Sequence, residues 1–310
     1  MKEANGNLLQ NNQAEEVRAV NGSAEMYHLL MFRVYEKNIQ GVWKHFKEYR
    51  IEPILIKGYS AALNYPEPHL RPLGDIDLAV NPKHFARVLE VNKRLKMGEV
   101  DLHKGLRHLD TLSWSDIFEN SKLIRCGQTN IRILRPEDHL RVLCVHWLND
   151  GGINKEKLWD IYYAVKNRGE NFDWERCLET VSRRRRKWVI CAIGAAHKYL
   201  ALEIADTPLA EEAKQLPAWM IQTIEKEWNS PVKFKYLHIC LRDRKEFLKQ
   251  LGKRIPPNPI QATIEMEGEF DNRPRIFYQT GGIFLKLKPS LKRVTKSIIG
   301  DWREKRTANE

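Results

Sequence analysis

Apolar residues recur along this chain with two different periods, and the change of period divides it. From about Ser23, Leu29, Phe32, Ile39, Trp43 and Phe46 fall at helical steps on one stripe. Pro53 to Ile56 is a short apolar run that reads as a buried strand. It leads straight into Lys57-Gly58-Tyr59-Ser60, after which Ala61, Ala62 and Leu63 suit a short helix. A turn containing Arg71, Pro72 and Gly74 precedes Asp75 to Val80, where Asp-Ile-Asp-Leu-Ala-Val alternates as a strand does. Asn81-Pro82 opens a helix with Phe85, Val88 and Leu89 on its inner face. Glu99 to His103 alternates again as a third strand, and Ile131 to Leu134 is a fourth.

Beyond Pro136 the period is helical throughout. Leu140, Leu143, Cys144 and Trp147 form one stripe, Leu158, Ile161, Tyr162 and Val165 another, and similar patterns cover 173–182, 187–204, 217–228 and 235–251. The pattern predicts an α/β (α+β) protein: a small mixed-sheet domain over 23–135 followed by an α-helical domain over 136–255. Residues 1–22, rich in Asn, Gln, Glu and Gly, read as a disordered lead-in. Pro256-Pro257-Asn258-Pro259 acts as a linker into a basic C-terminal extension over 256–310.

Charge sharpens this picture. Lys and Arg number 52 against 40 Asp and Glu, a net charge of +12 that favours an anionic partner such as nucleotide phosphates or RNA, although a solvated basic surface has the same composition. Arg183 to Lys187 places five cations where a helix begins, an end that repels cations and would welcome an anion, although a solvated basic run is the default reading. The tail after Lys286, with Trp302 in it, suits an RNA backbone and equally a solubilising end. No apolar run reaches the roughly 18 residues of a membrane span, and the N-terminus has no secretion signal, so a cytoplasmic protein without membrane contact is expected. Five scattered cysteines without C-x-x-C spacing point to reduced core thiols and give no zinc motif.

The chemistry is concentrated in one short stretch. Asp75 and Asp77, two apart on a strand, project from the same face, and side-by-side carboxylates call for a divalent cation. Upstream, Gly58 and Ser60 sit at a strand-to-helix junction where the backbone can approach a phosphate and a hydroxyl can donate to it. Lys57 and Arg71 add cations. Asp101 follows on the next strand, with Glu99 and His103 on the same face and Glu99 competing for the same role. Three carboxylates can hold two Mg²⁺ ions, or Mn²⁺ in their place, and the third can act as general base.

The runs Ile54-Leu-Ile-Lys-Gly-Tyr-Ser-Ala-Ala-Leu-Asn-Tyr-Pro, Leu70-Arg-Pro-Leu-Gly-Asp-Ile-Asp-Leu-Ala-Val and Val100-Asp-Leu-His resemble the uncharacterised bacterial nucleotidyltransferase family of the polymerase-beta-like superfamily. Leu134-Arg-Pro-Glu-Asp, Cys144-Val-His-Trp, Leu158-Trp-Asp-Ile and Phe172-Asp-Trp look like the same family, so the likeness covers roughly 25–250. It implies a Gly-Ser turn at Gly58 and Ser60, a metal-binding pair at Asp75 and Asp77, and a third acid at Asp101. Lys57 and Arg71 would join the turn in binding an NTP. Two features depart from the pattern: Tyr59 separates Gly58 from Ser60, and only 23 residues lie between Asp77 and Asp101. The expected reaction moves an NMP from an NTP to an acceptor hydroxyl with release of pyrophosphate. RNA or tRNA is slightly favoured as acceptor over a peptide or small molecule. The rival expectation is a catalytically silent protein of the same fold that binds RNA or a partner protein.

Overall fold

The computed structural model describes residues 2–95, 99–106, 112–232, 235, 237, 239–240 and 243–284, with side chains from residue 24 onward. The basic tail after Lys286 lies outside these residues. The chain forms two compact units, Met1–Val142 with Tyr163–Thr180, and Leu143–Tyr162 with Val181–Glu310.

In the first unit, α1 (Lys2–Glu48) includes the stretch read from the sequence as a disordered lead-in. Phe32, Tyr35, Ile39, Val42, Trp43 and Phe46 are its buried stripe, at the expected spacing. The strands are β1 (Ile54–Leu55), β2 (Ile76–Val80), β3 (Val100–Lys104), β4 (Lys122–Cys126) and β5 (Thr129–Ile133). They form one mixed sheet in the order β3-β2-β1-β5-β4. Between them lie α2 (Tyr59–Ala62), α3 (Phe85–Asn92) and α4 (Trp114–Glu119). The sheet edge β4 and the helix α4 have no counterpart in the sequence reading. Of the five residues of β4 only Cys126 is buried, so the strand shows no apolar alternation to detect.

The sheet is covered on both faces, which explains the apolar run at β1. Leu55, Ile76, Leu78 and Val80 pack with the α1 stripe, whereas Ile54, Ile56 and Ala79 pack with Ile117, Leu134 and Val142 on the other side. Period-two alternation therefore puts Asp77, between Ile76 and Leu78, on the face shared with Ala79.

Helices α5 (Pro136–Asn149), α6 (Leu158–Lys166) and α7 (Trp174–Leu178) follow. Buried charge ties α7 to the start of α5: Asp138 takes Arg141 at 2.7 Å and Arg176 at 2.9 Å. Glu137 accepts the Asp173 backbone N–H at 3.0 Å. These contacts give the Arg-Pro-Glu-Asp and Phe-Asp-Trp runs a structural role.

The second unit continues with α8 (Arg183–Leu200), α9 (Ala210–Lys214), α10 (Ala218–Trp228), α11 (Arg244–Gly252) and α12 (Pro259–Glu265). Trp188 through Ala196 of α8 are all buried, so this helix is a core element. Its basic start is matched within the protein: Ser182 caps it, Arg185 pairs with Glu267 at 3.0 Å, and Arg186 pairs with Glu212 at 2.7 Å. A Cβ on Gly194 would collide with the Ala213 carbonyl at the end of α9. Gly194→Ala is therefore expected to cost about 1–3 kcal/mol and lower Tm in a thermal melt; an unchanged Tm would mean that α8 and α9 do not meet there.

All five cysteines are free and buried. Burial pushes the Cys126 thiol up to about 11 and those of Cys177 and Cys191 up to about 12, so these three are inert at neutral pH. Among the described residues no helix is long and apolar enough to cross a membrane.

Candidate active site

Strand pairing assembles the site. Antiparallel pairing sets Ile54 against Ala79 and Leu55 against Leu78. The next backbone N–H, from Ile56, donates to the Asp77 carbonyl at 3.1 Å. Lys57 thus emerges beside Asp77. Parallel pairing sets Asp77 against Asp101 and Ala79 against His103. Residues opposed in a parallel pair share a face, so Asp77, Asp101 and His103 converge. One ligand atom from each lies within 4.8 Å of the other two.

The details are specific. Lys57 Nζ lies 2.6 Å from Asp77 Oδ1, and His103 Nε2 lies 3.0 Å from the same oxygen. His103 Nε2 is also 3.3 Å from Asp101 Oδ2. The Asp77 side chain is only 8% exposed while that of Asp101 is 54% exposed. Burial pushes the Asp77 carboxyl upward, but the hydrogen bond with His103 and the charge of Lys57 outweigh it and hold the carboxyl below its ordinary value. Asp77 is accordingly an anion at neutral pH.

Gly58 has φ 63° and ψ −110°, a conformation that L side chains rarely adopt. A Cβ there would stand 2.8 Å from the Tyr35 hydroxyl. That hydroxyl donates to the Asp75 carbonyl at 2.8 Å, so Tyr35 braces the glycine turn against the start of β2. Burial, then the charge of Asp77, raise the Tyr35 phenol far above its usual range, which keeps it a donor.

The other sequence candidates fall around this centre in different ways. Asp75 is exposed one residue before β2, on the same face as Asp77 by alternation, and is outside the Asp77–Asp101–His103 group. Glu99 is exposed one residue before β3, and its carbonyl accepts the Ile76 N–H at 2.8 Å. Arg71 donates to the Pro72 carbonyl at 3.0 Å. Ser60 is turned inward: its buried hydroxyl donates to the Lys57 carbonyl at 3.2 Å and lies 3.2 Å from His139 Nε2. In this geometry Ser60 steadies the turn that carries Lys57. Sequence reasoning noted His103 on the face but gave it no task, and passed over Tyr35 and His139. The period-two step from Asp101 to His103 was the available signal; the reach of His139 to Ser60 spans 79 positions and leaves no local trace.

Two carboxylates and an imidazole nitrogen at this spacing fit one divalent cation. Carboxylates suit Mg²⁺ and Mn²⁺, and the imidazole widens the range to other first-row divalent ions. A second group, Glu25, Glu67 and His69, has two exposed acids and shares no residue with the first.

The mixed sheet thus aligns an Asp-x-Asp strand with an acid on its parallel neighbour, next to a glycine turn. Residues 32–95 match the model of a family described as uncharacterised nucleotidyltransferase, which supports a nucleotidyltransferase family of unknown function. That segment holds Lys57, Gly58, Asp75 and Asp77 and ends before Asp101 and His103. No curated protein and no solved structure matches the chain.

Proposed function

We propose that the protein is a metal-dependent nucleotidyltransferase that moves an NMP from an NTP to an acceptor hydroxyl and releases pyrophosphate. The observation that carries this reading is the in-register pairing of Asp77 with Asp101 across parallel strands, with Lys57 and the Gly58 turn alongside. Asp75, Asp77 and Asp101 would hold the metal, with His103 as an added nitrogen ligand. When bound, Mg²⁺ or Mn²⁺ supplies charge neutralisation at the phosphates and acidifies the attacking hydroxyl. Asp101, the more exposed of the paired acids, takes the hydroxyl proton as the acceptor oxygen bonds to the α-phosphorus and the bond to pyrophosphate breaks. Lys57, the backbone at Gly58 and Arg71 bind the phosphates, and Ser60 keeps the turn in place. The net charge of +12 favours RNA or tRNA over a peptide or small molecule.

A second reading, a silent nucleotidyltransferase-fold protein that binds RNA or a partner protein, is favoured by one feature. Asp77 Oδ1 already receives both Lys57 and His103. Incubation with α-labelled NTPs, Mn²⁺ or Mg²⁺ and total cell extract separates the two: transfer of label to RNA or another acceptor supports the enzyme, and metal-dependent NTP binding without any transfer supports the silent protein.

The two acids on β3 are expected to differ. Asp101→Ala should reduce transfer about 10²-fold or more, as loss of a preorganised charge in the site does. Glu99→Ala should change it less than about threefold, because the register aligns Asp101 with Asp77. The opposite ranking in a transfer assay would move the general base to Glu99.

A further inference from the structure

Lys57 is placed to do more than bind phosphate. Its backbone is pinned, because its carbonyl accepts the Ser60 hydroxyl and the preceding N–H is committed to Asp77. Its side chain is 13% exposed and runs along the face of the strand to Asp77 Oδ1. With His103 on the same oxygen, that acceptor carries two nitrogen donors at 2.6 and 3.0 Å. A divalent ion held by Asp77 and Asp101 would therefore have either to displace Lys57 from Oδ1 or to tolerate its ammonium close by. At about 4 Å, that repulsion lowers ion affinity at least tenfold even at the dielectric of water. A polyanionic triphosphate changes the balance, since it gives the ammonium a new partner within reach of its flexible four-carbon stem.

We propose that Lys57 and the metal compete for Asp77, so that the ion enters as its nucleotide complex while Lys57 transfers from the carboxylate to the triphosphate. This rests on the reading of the site as a nucleotidyl-transfer centre. Lys57 then guards against a bare ion and couples metal binding to nucleotide binding, and the coupling is reciprocal.

The test is Mn²⁺ binding to the full chain, followed by electron paramagnetic resonance with and without a non-hydrolysable ATP analogue. The parent should bind Mn²⁺ at least tenfold more tightly with the analogue than without it. Lys57→Met should bind free Mn²⁺ about tenfold more tightly than the parent, bind the analogue more weakly, and lose most of the coupling. Lys57→Gln, which keeps a donor for Asp77 without the charge, should behave the same way if the methionine variant does not fold. A Lys57 variant whose free Mn²⁺ affinity equals or falls below that of a parent that binds both ligands overturns the competition and leaves the transfer reading standing. A parent that binds neither Mn²⁺ nor the analogue overturns both.

Discussion

Asp77→Asn is expected to remove nucleotide transfer, by about 10²-fold or more, while lowering stability measurably. The loss of activity follows from its position: Asp77 is the buried member of the Asp77–Asp101–His103 group, and in the proposed reaction its charge would face the ion and the phosphates. The loss of stability is a consequence of Lys57. Removing the partner of a largely buried ammonium is costly, but asparagine retains an acceptor oxygen, so about 1–3 kcal/mol is expected rather than the full ~3–5 kcal/mol of a broken buried pair. From the sequence alone the substitution reads as neutral for folding, because neither Lys57 nor His103 is visibly bound to Asp77 there. Transfer measured well below the variant's Tm separates the two effects. Parent-like transfer would remove Asp77 from the metal role.

Gly58→Ala should be among the most damaging small substitutions in the first unit. At φ 63° and ψ −110° an alanine is strained by about 1–3 kcal/mol. Its Cβ also meets the Tyr35 hydroxyl, which cannot withdraw without giving up its hydrogen bond to the Asp75 carbonyl. Together these predict a loss of about 2–4 kcal/mol. Displacing the turn also displaces Lys57, so NTP binding should weaken in the protein that remains folded. Tyr35→Phe with Gly58→Ala should recover part of the stability, because the colliding oxygen is gone. An alanine variant as stable as the parent, binding NTP equally well, would show that the turn does not need glycine.

How much of this was legible in the sequence depends on the range of the interaction. The strand at 53–56 is visible as a short apolar run, those at 75–80 and 99–103 by period-two alternation, and that alternation puts Asp77, Asp101 and His103 on faces that could meet. The register that brings Asp77 opposite Asp101 was not visible, since pairing is set by the whole sheet. The inward turn of Ser60 was hidden for the same reason: it depends on His139, in the first turns of a helix that only tertiary packing brings near. The cations at 183–187 read as a solvated basic run or, less readily, an anion site, because Glu212 and Glu267, which match two of them, lie far along the chain. Edge strand β4 left too little apolar signal to be seen.

The most direct measurement is a crystal structure with Mn²⁺ and a non-hydrolysable NTP, read by anomalous scattering. An anomalous peak in coordination range of both Asp77 and Asp101, with the triphosphate on the Gly58 turn and Lys57 directed at it, is the predicted result. A nucleotide bound elsewhere, or an ion away from Asp77 while Lys57 stays on its carboxylate, would contradict the assignment of this site to nucleotidyl transfer.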